Sequence, residues 1–340
     1  MHVASVSNLV NVLLISSAPD DSYKESNLVN PQQQFIGTVS EYKPVVIWHG
    51  LGDNYNSSGI HKAVDIFTEH YPGIKVYSVS LNENPSSDQQ LSVFGDANKQ
   101  LEQTCKQLSE IDDLQYGFDA IGFSQGGLFL RALVETCPQV SISNLITFGS
   151  PHMGVSELPL CKQNDWLCKG RNAFLKKQVW HDSVQKRVIP AQYFRDPKDY
   201  DNYLKYSNFL ADINNERDKV HRQYRDRLLN LSKFVMVSFS QDTTLVPKDS
   251  ATFSDYSQSG ERIAFEDTMI YKEDRIGLKS LNEAKKIDFL SLDSDHMDVP
   301  DWFIHKIAGT YIGSKLVWTI DSGLYFKIIR RKLEETLQYC

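Results

Sequence analysis

The chain has 340 residues, 41% of them hydrophobic and 23% charged, the composition of a soluble globule with room for one large domain or two ordinary ones. A formal net charge of -7 argues against nucleic acid as the main partner. No apolar run reaches the roughly 18 residues that a spanning helix needs.

The stretch "NLVNVLLISSA" (8–18) is apolar and ends in small residues, as a secretory signal does, although it has no basic flank and carries Asn11. Residues 1–18 are therefore read as a signal-like segment and the polar residues 19–42 as a linker. "KPVVIWHGLGD" (43–53) then gives a buried strand followed by a glycine loop, and "GIHKAVDIFTEHYPG" (59–73) has helical spacing. "IKVYSVSL" (74–81) is the next strand, and "FGDANKQLEQTCKQLSEI" (94–111) the next helix. A strand at 117–123 meets a helix at 127–137 through "IGFSQGG". Further strands follow at 143–151, 233–239 and 287–294, with a closing helix at 300–312. Alternating strands and helices predict a mostly parallel central sheet flanked by helices. The 78 residues from 155 to 232 break this rhythm and are too long for a loop, so they are read as an inserted helical cap. No internal repeat is visible.

Ser124 stands between glycines at a strand-to-helix joint. G-x-S-x-G is weak as a pattern alone but fits a nucleophile at a tight corner, where Gly122 and Gly126 let the backbone turn. A serine hydroxyl needs a histidine to take its proton and a carboxylate to hold that histidine. In a parallel sheet these groups come from loops at the carboxyl ends of strands. Asp242 follows the strand at 233–239 and His296 follows the strand at 287–294. Ser124, Asp242, His296 is the chain order of the α/β-hydrolase fold.

Competitors exist for each role. Asp249 is a second candidate acid, and Asp293, Asp295 and Asp298 flank His296. His49, His152 and His181 are the other histidines near loops. A lone Asp is often a turn or cap residue, and His296 could be a solvated loop histidine. The oxyanion donors expected are the N–H of Gln125, directly after the serine, and the N–H of Leu51 in "HGLGD". That loop could instead be a plain turn, with Asp53 capping the next helix.

Five cysteines are present and none forms a C-x-x-C pair, so a zinc knuckle is not expected. Cys161 and Cys168 flank a segment short enough to close as a loop, while Cys105 and Cys137 lie on the helices either side of the serine corner. Four reduced thiols are the alternative. Sequons at Asn56 and Asn230 fit a lumenal protein. No metal or phosphate-binding pattern appears, so hydrolysis without a cofactor is expected.

The motifs "VVIWHGLGD", "GFSQGGLFLRALVETCP", "LITFGSPHMGV", "FLADINNER", "KFVMVSF", "DRIGLK" and "DHMDVPDWF" resemble those of the lysosomal palmitoyl-protein thioesterases, over about residues 43–314. The resemblance implies an α/β-hydrolase that removes long-chain fatty acyl groups from cysteine thioesters. It matches Ser124 to the nucleophile, Asp242 to the acid, His296 to the base, and Leu51 and Gln125 to the oxyanion donors. It also implies the disulfides Cys105–Cys137 and Cys161–Cys168, a lysosomal, vacuolar or secreted location, and S-palmitoylated proteins and acyl-CoA as substrates. A lipase or other oxygen-ester hydrolase, or an inactive lipid-binding module, is the alternative on the same scaffold.

Residues 315–340 extend past the family's usual end and include Cys340; "FKIIRRKLEETL" could lie on a membrane surface or be a solvated tail. An apolar groove for the acyl chain is expected from the cap, through Phe174, Leu175, Val179, Trp180, Val188, Ile189, Tyr193 and Phe194. The same residues could instead form the cap's own core.

Overall fold

The computed structural model describes residues 4–5, 42–157 and 177–315. The linker before Tyr42, most of the signal-like segment, Cys161, Cys168, Phe174, Leu175 and the tail from 316 lie outside the described residues.

Seven strands make the main sheet: β1 (Ala4–Ser5), β2 (Val45–Trp48), β3 (Val76–Ser78), β4 (Phe118–Phe123), β5 (Ile142–Phe148), β6 (Lys233–Phe239) and, last in the chain, Ile287–Leu292. Their spatial order is β1, β3, β2, β4, β5, β6, then Ile287–Leu292. Every neighbouring pair is parallel except β1 with β3. Such a sheet is covered on both faces, which is why Val45, Val46, Ile47 and Trp48 are all buried.

Successive residues of each strand enter different cores. Val45, Ile47, Ile121, Val235 and Val237 face helix α1 (Ser58–His70) and the closing helix Asp301–Tyr311. Val46, Trp48, Ala120, Phe234 and Met236 face the other way. There they pack with helices α3 (Ala97–Ser109) and α4 (Gln125–Thr136) and with the cap. A period of two thus builds both layers. The edge strand Ile287–Leu292 has a half-exposed face, and its Phe289 stacks edge-on against Phe265 at 5.1 Å.

The structure adds elements that the sequence reading did not name, among them the short helices Met269–Lys272 and Leu278–Glu283. Helix α2 (Pro85–Val93) is an addition: Asn84 caps it by accepting the Ser87 N–H at 3.1 Å, and Pro85 opens it. A small antiparallel pair, Asp255–Tyr256 with Arg262–Ile263, is another. The Cys105–Cys137 disulfide is formed and links α3 to the end of α4.

The described part of the cap, 177–232, is a set of short helices that includes Asp182–Gln185, Ile189–Gln192, Tyr200–Tyr206 and Leu210–Ile213. Polar groups fasten it. Arg131 of α4, fully buried, donates to Glu135 Oε1 at 2.8 Å and to Asn214 Oδ1 at 2.7 Å. Arg195 donates to Glu216 and to both oxygens of Asp255.

Candidate active site

Parallel register brings the strand ends level. Trp48 pairs with Gly122, Phe123 with Phe148, Phe148 with Val237, and Phe239 with Leu292. The loops that follow these strands therefore open at one edge of the sheet, and Ser124, Asp242 and His296 meet there.

Ser124 has φ 51° and ψ −120°, a conformation that costs a side-chain-bearing residue roughly 1–3 kcal/mol. Its N–H donates to the Phe148 carbonyl at 2.7 Å, and its own carbonyl accepts the Gly127 N–H at 3.1 Å. The flanking glycines serve close approach rather than the turn. A Cβ on Gly126 would stand 2.3 Å from the Trp48 oxygen, and one on Gly122 would stand 2.3 Å from Gly127 Cα. Neither has a positive φ; the serine itself bears it.

His296 Nε2 lies 3.0 Å from Ser124 Oγ, and its Nδ1 lies 2.6 Å from Asp242 Oδ2. With Nδ1–H donating to the carboxylate, Nε2 is left as the acceptor facing the hydroxyl. Asp242 Oδ1 in turn accepts the N–H groups of Thr244 (2.9 Å) and Leu245 (2.8 Å), so the buried carboxylate is fixed from its own loop. This arrangement can hand a proton from a hydroxyl to an imidazole while a carboxylate holds the ring.

The competing acids do other work. Asp249 binds the Arg262 guanidinium at 2.6 Å and the Tyr256 hydroxyl at 2.7 Å. Burial pushes its carboxyl up, but these two partners outweigh burial and hold it below its ordinary value. Asp295 accepts the His296 N–H (2.8 Å) and the Thr243 N–H (3.1 Å), which hold it low as well. Asp293 binds Ser240 and Gln241. Both thus tie the loop of His296 to the loop of Asp242. Asp298 uses its backbone oxygen, which accepts from Ser294.

The other histidines also lie apart from Ser124 Oγ. His152 is buried, stacked on Phe253 at 4.8 Å and 3.0 Å from Thr147 Oγ1; burial holds it well below its ordinary value. His181 is exposed, just before the helix Asp182–Gln185.

His49 belongs to a support that the sequence did not disclose. Its Nδ1 lies 3.0 Å from the Gly50 oxygen, and its Nε2 lies 3.0 Å from Asp88 Oδ2, in ion-pair contact but off the hydrogen-bond direction. Asp88, fully buried on α2, accepts the Leu81 N–H (2.8 Å) and the Tyr55 N–H (2.9 Å). One turn later Ser92 accepts the Gly52 N–H at 2.8 Å, and Gln89 donates to the Gly52 oxygen at 2.5 Å. Helix α2 thereby braces the loop 49–53 beside Ser124. The only trace in the sequence is an Asp and a Ser four apart, on one face of a helix whose polar composition hides it.

Gly50 approaches the serine so closely that a Cβ there would stand 3.2 Å from Ser124 Cβ. Leu51 lies in that loop, and Gln125 opens α4. The Gln125 side chain is buried, donating to the Ser92 oxygen at 2.9 Å and accepting from Tyr193 at 3.0 Å. Asp53 accepts from Ser57 Oγ at 3.1 Å.

Ser124 and His296 open on a cavity of about 470 Å³. Its lining includes Leu51, Ile60 and Ala63 together with Phe123, Met297, Val299 and Ile304. Toward the cap it is lined by Pro151, Val155, Tyr193 and Leu245. Among the described cap residues expected to line an acyl groove, only Tyr193 does. Val179, Ile189 and Phe194 are buried in the core, with Trp180 and Val188 packed against it. The reason is local: a run of short helices must bury its own large side chains before it can offer any to a cavity. Asn56 and Asn230 are both exposed.

A strand–serine–helix corner on a parallel sheet, with a hydroxyl, an imidazole and a carboxylate in series, defines an α/β-hydrolase-fold serine hydrolase. The family model described as palmitoyl protein thioesterase matches residues 44–296. Over 260 residues the chain is 38% identical to palmitoyl-protein thioesterase 1 of Caenorhabditis elegans, covering 76% of this chain and 87% of that one. It is 32% identical over 267 residues to palmitoyl-protein thioesterase 3 of Dictyostelium discoideum, covering 78% and 89%. Lysosomal thioesterase PPT2-B of Xenopus laevis is 30% identical over 254 residues, covering 74% and 85%. The chain belongs to the palmitoyl protein thioesterase family and is an enzyme, a serine hydrolase of thioesters.

Proposed function

We propose that this enzyme hydrolyses long-chain fatty acyl thioesters, taking S-palmitoylated cysteines of proteins and peptides as substrates and accepting long-chain acyl-CoA. Ser124 Oγ attacks the thioester carbonyl as His296 Nε2 takes its proton, and the resulting oxyanion is met by the N–H groups of Leu51 and Gln125. Collapse of the tetrahedral intermediate breaks the C–S bond. The imidazolium returns its proton to the departing thiolate, leaving an acyl-serine. Water, deprotonated by His296, then attacks that ester, and the proton returns to Ser124 Oγ as the fatty acid leaves. Asp242 keeps the ring oriented and steadies its charged form. Removing one oxyanion donor costs such a site roughly 2.7–4 kcal/mol of barrier.

The observation that carries this reading is the seating of the Ser124–His296 pair in a largely apolar cavity of about 470 Å³, a size common to small-molecule sites. Each methylene buried there contributes about 0.8 kcal/mol, so a hexadecanoyl chain is held far better than a short one. Relatives named as lysosomal thioesterases and a formed disulfide support a lumenal, oxidising location. Among the described residues no helix is long and apolar enough to cross a membrane. The exposed sequons at Asn56 and Asn230 are then glycan acceptors.

The test compares wild type with Ser124→Ala on an S-palmitoyl cysteine peptide and on an oxygen ester of equal chain length. Wild type should favour the thioester, and the variant should lose about 10⁴-fold or more in kcat. Full depalmitoylating activity in Ser124→Ala would refute the assignment; preference for the oxygen ester would make this a lipase-like enzyme.

A further inference from the structure

The cavity is lined largely by apolar side chains but also by a partly exposed pair of opposite charges. Lys62 projects from α1 and Asp301 from the first turn of the closing helix, two elements that pack on one another and together wall one side of the cavity. Lys62 Nζ and Asp301 Oδ1 are 2.5 Å apart, and each side chain is a little over half exposed (58% and 54%). Both residues line the cavity. Beneath them lie Ile60 and Ala63 on α1 and Ile304 on the closing helix, all buried. Among the described residues lining the cavity, Lys62 is the only lysine or arginine, and Asp301 is its partner.

We propose that Lys62 and Asp301 form a polar crosspiece over the acyl groove that sets the longest chain the enzyme uses well. This deepens the proposed function and rests on it. While methylenes slide along Ile60, Ala63 and Ile304, each one gained should raise affinity about fourfold. At the crosspiece the gain stops. A methylene placed against the pair strips water from an ammonium and a carboxylate and gives neither a hydrogen bond in return. A methylene that passes outside the pair stays in water and gains nothing. Because an exposed ion pair is itself weak, its removal should change selectivity more than stability.

The experiment measures kcat/KM on S-acyl cysteine peptides from dodecanoyl through hexadecanoyl to eicosanoyl, presented in detergent micelles. It uses wild type, the double variant Lys62→Leu with Asp301→Leu, and the charge swap Lys62→Asp with Asp301→Lys. Wild type should reach a plateau near hexadecanoyl. In the leucine variant the eicosanoyl to dodecanoyl ratio should rise roughly tenfold, the effect of about two further buried methylenes. In the charge swap the ratio should stay close to that of wild type, since a crosspiece is restored. A leucine variant with the wild-type ratio, or one in which all chain lengths rise or fall together, overturns the inference while leaving the thioesterase reading intact. Wild-type protein inert on the whole series overturns that reading, and the inference with it.

Discussion

The two walls of the active-site cavity are built by different rules. The wall made by α1 and the closing segment presents Ile60, Ala63, Val299 and Ile304 to the cavity, from elements whose opposite sides are already anchored on the sheet. The cap wall is richer in large apolar residues, yet among the described cap residues named from the sequence it offers the cavity only Tyr193. Val179, Ile189 and Phe194 turn inward instead, and Trp180 and Val188 pack against the same core. A helix docked on a sheet has a spare face to lend to a ligand. A set of helices of four to seven residues has none, because its own core must come first. Apolar content is therefore a poor guide to which insert holds a ligand.

That contrast is tested first, and with the largest effect, by a matched pair of variants. Ile189, fully buried in the cap, should cost about 2–5 kcal/mol of stability when cut to alanine, without changing the relative rates on long and short acyl chains. Ala63→Leu fills the other wall. It should lower kcat/KM for hexadecanoyl thioesters by roughly 10- to 100-fold, the worth of two or three displaced methylenes, and butyryl thioesters far less. Chemical denaturation and a chain-length series measure the two. Length-selective loss in Ile189→Ala would return the groove to the cap.

A similar split between fold and chemistry runs along a single strand. Strand β4 leads to Ser124 at one end and buries Asp119 near the other. Burial raises the Asp119 carboxyl to about 7, against the opposing pull of Lys43 and of the Asn144 N–H, which donates to Oδ1 at 3.1 Å. The folded state thus holds this proton more tightly than the unfolded chain does. Its contribution is fully present below the unfolded value near 4. It falls as the pH rises from there to about 7 and is gone above that. Asp119→Asn keeps the acceptor and removes the charge, so it should flatten the fall in Tm between pH 5 and pH 8. At pH 8 the difference is on the order of 4 kcal/mol at most. Parallel Tm–pH curves for the two proteins would rule this out.

How far the sequence was legible follows from the same physics. Buried parallel strands are continuous apolar runs, so "VVIW" and "KFVMVSF" mark β2 and β6 to the residue. Loops at strand ends are short and fixed in direction, which is why Asp242 and His296 could be placed by their distance from a strand. Helix α2 was invisible because it buries Asp88 and Ser92 in place of apolar residues, so no hydrophobic period exists to find. The role of the two glycines at the serine corner was misread for another reason, although the serine does bear the strain expected there. Glycine suggests an unusual φ, but here it marks a Cβ-free contact between α4 and the ends of β2 and β4.

The smallest effect concerns Tyr193, where the two walls meet the chemistry. Its hydroxyl donates to Gln125 Oε1 at 3.0 Å, and Gln125 Nε2 donates to the Ser92 oxygen at 2.9 Å. Ser92 Oγ accepts from the Gly52 N–H, one residue past Leu51. The cap is thereby tied to the loop of Leu51 and to Gln125, the two proposed oxyanion donors, through one buried amide. Tyr193→Phe removes that tie and leaves Oε1 without a donor, a loss of about 1 kcal/mol if the gap partly relaxes. If Tyr193 acts as a positioning residue, kcat should fall roughly 3- to 10-fold with KM little changed, and by the same factor for every acyl length. If instead it serves as groove lining, the fall should grow with chain length and appear in KM. A pair of kcat and KM values at two chain lengths decides between these, because a donor moved by a fraction of an ångström weakens the oxyanion whichever acyl chain is bound.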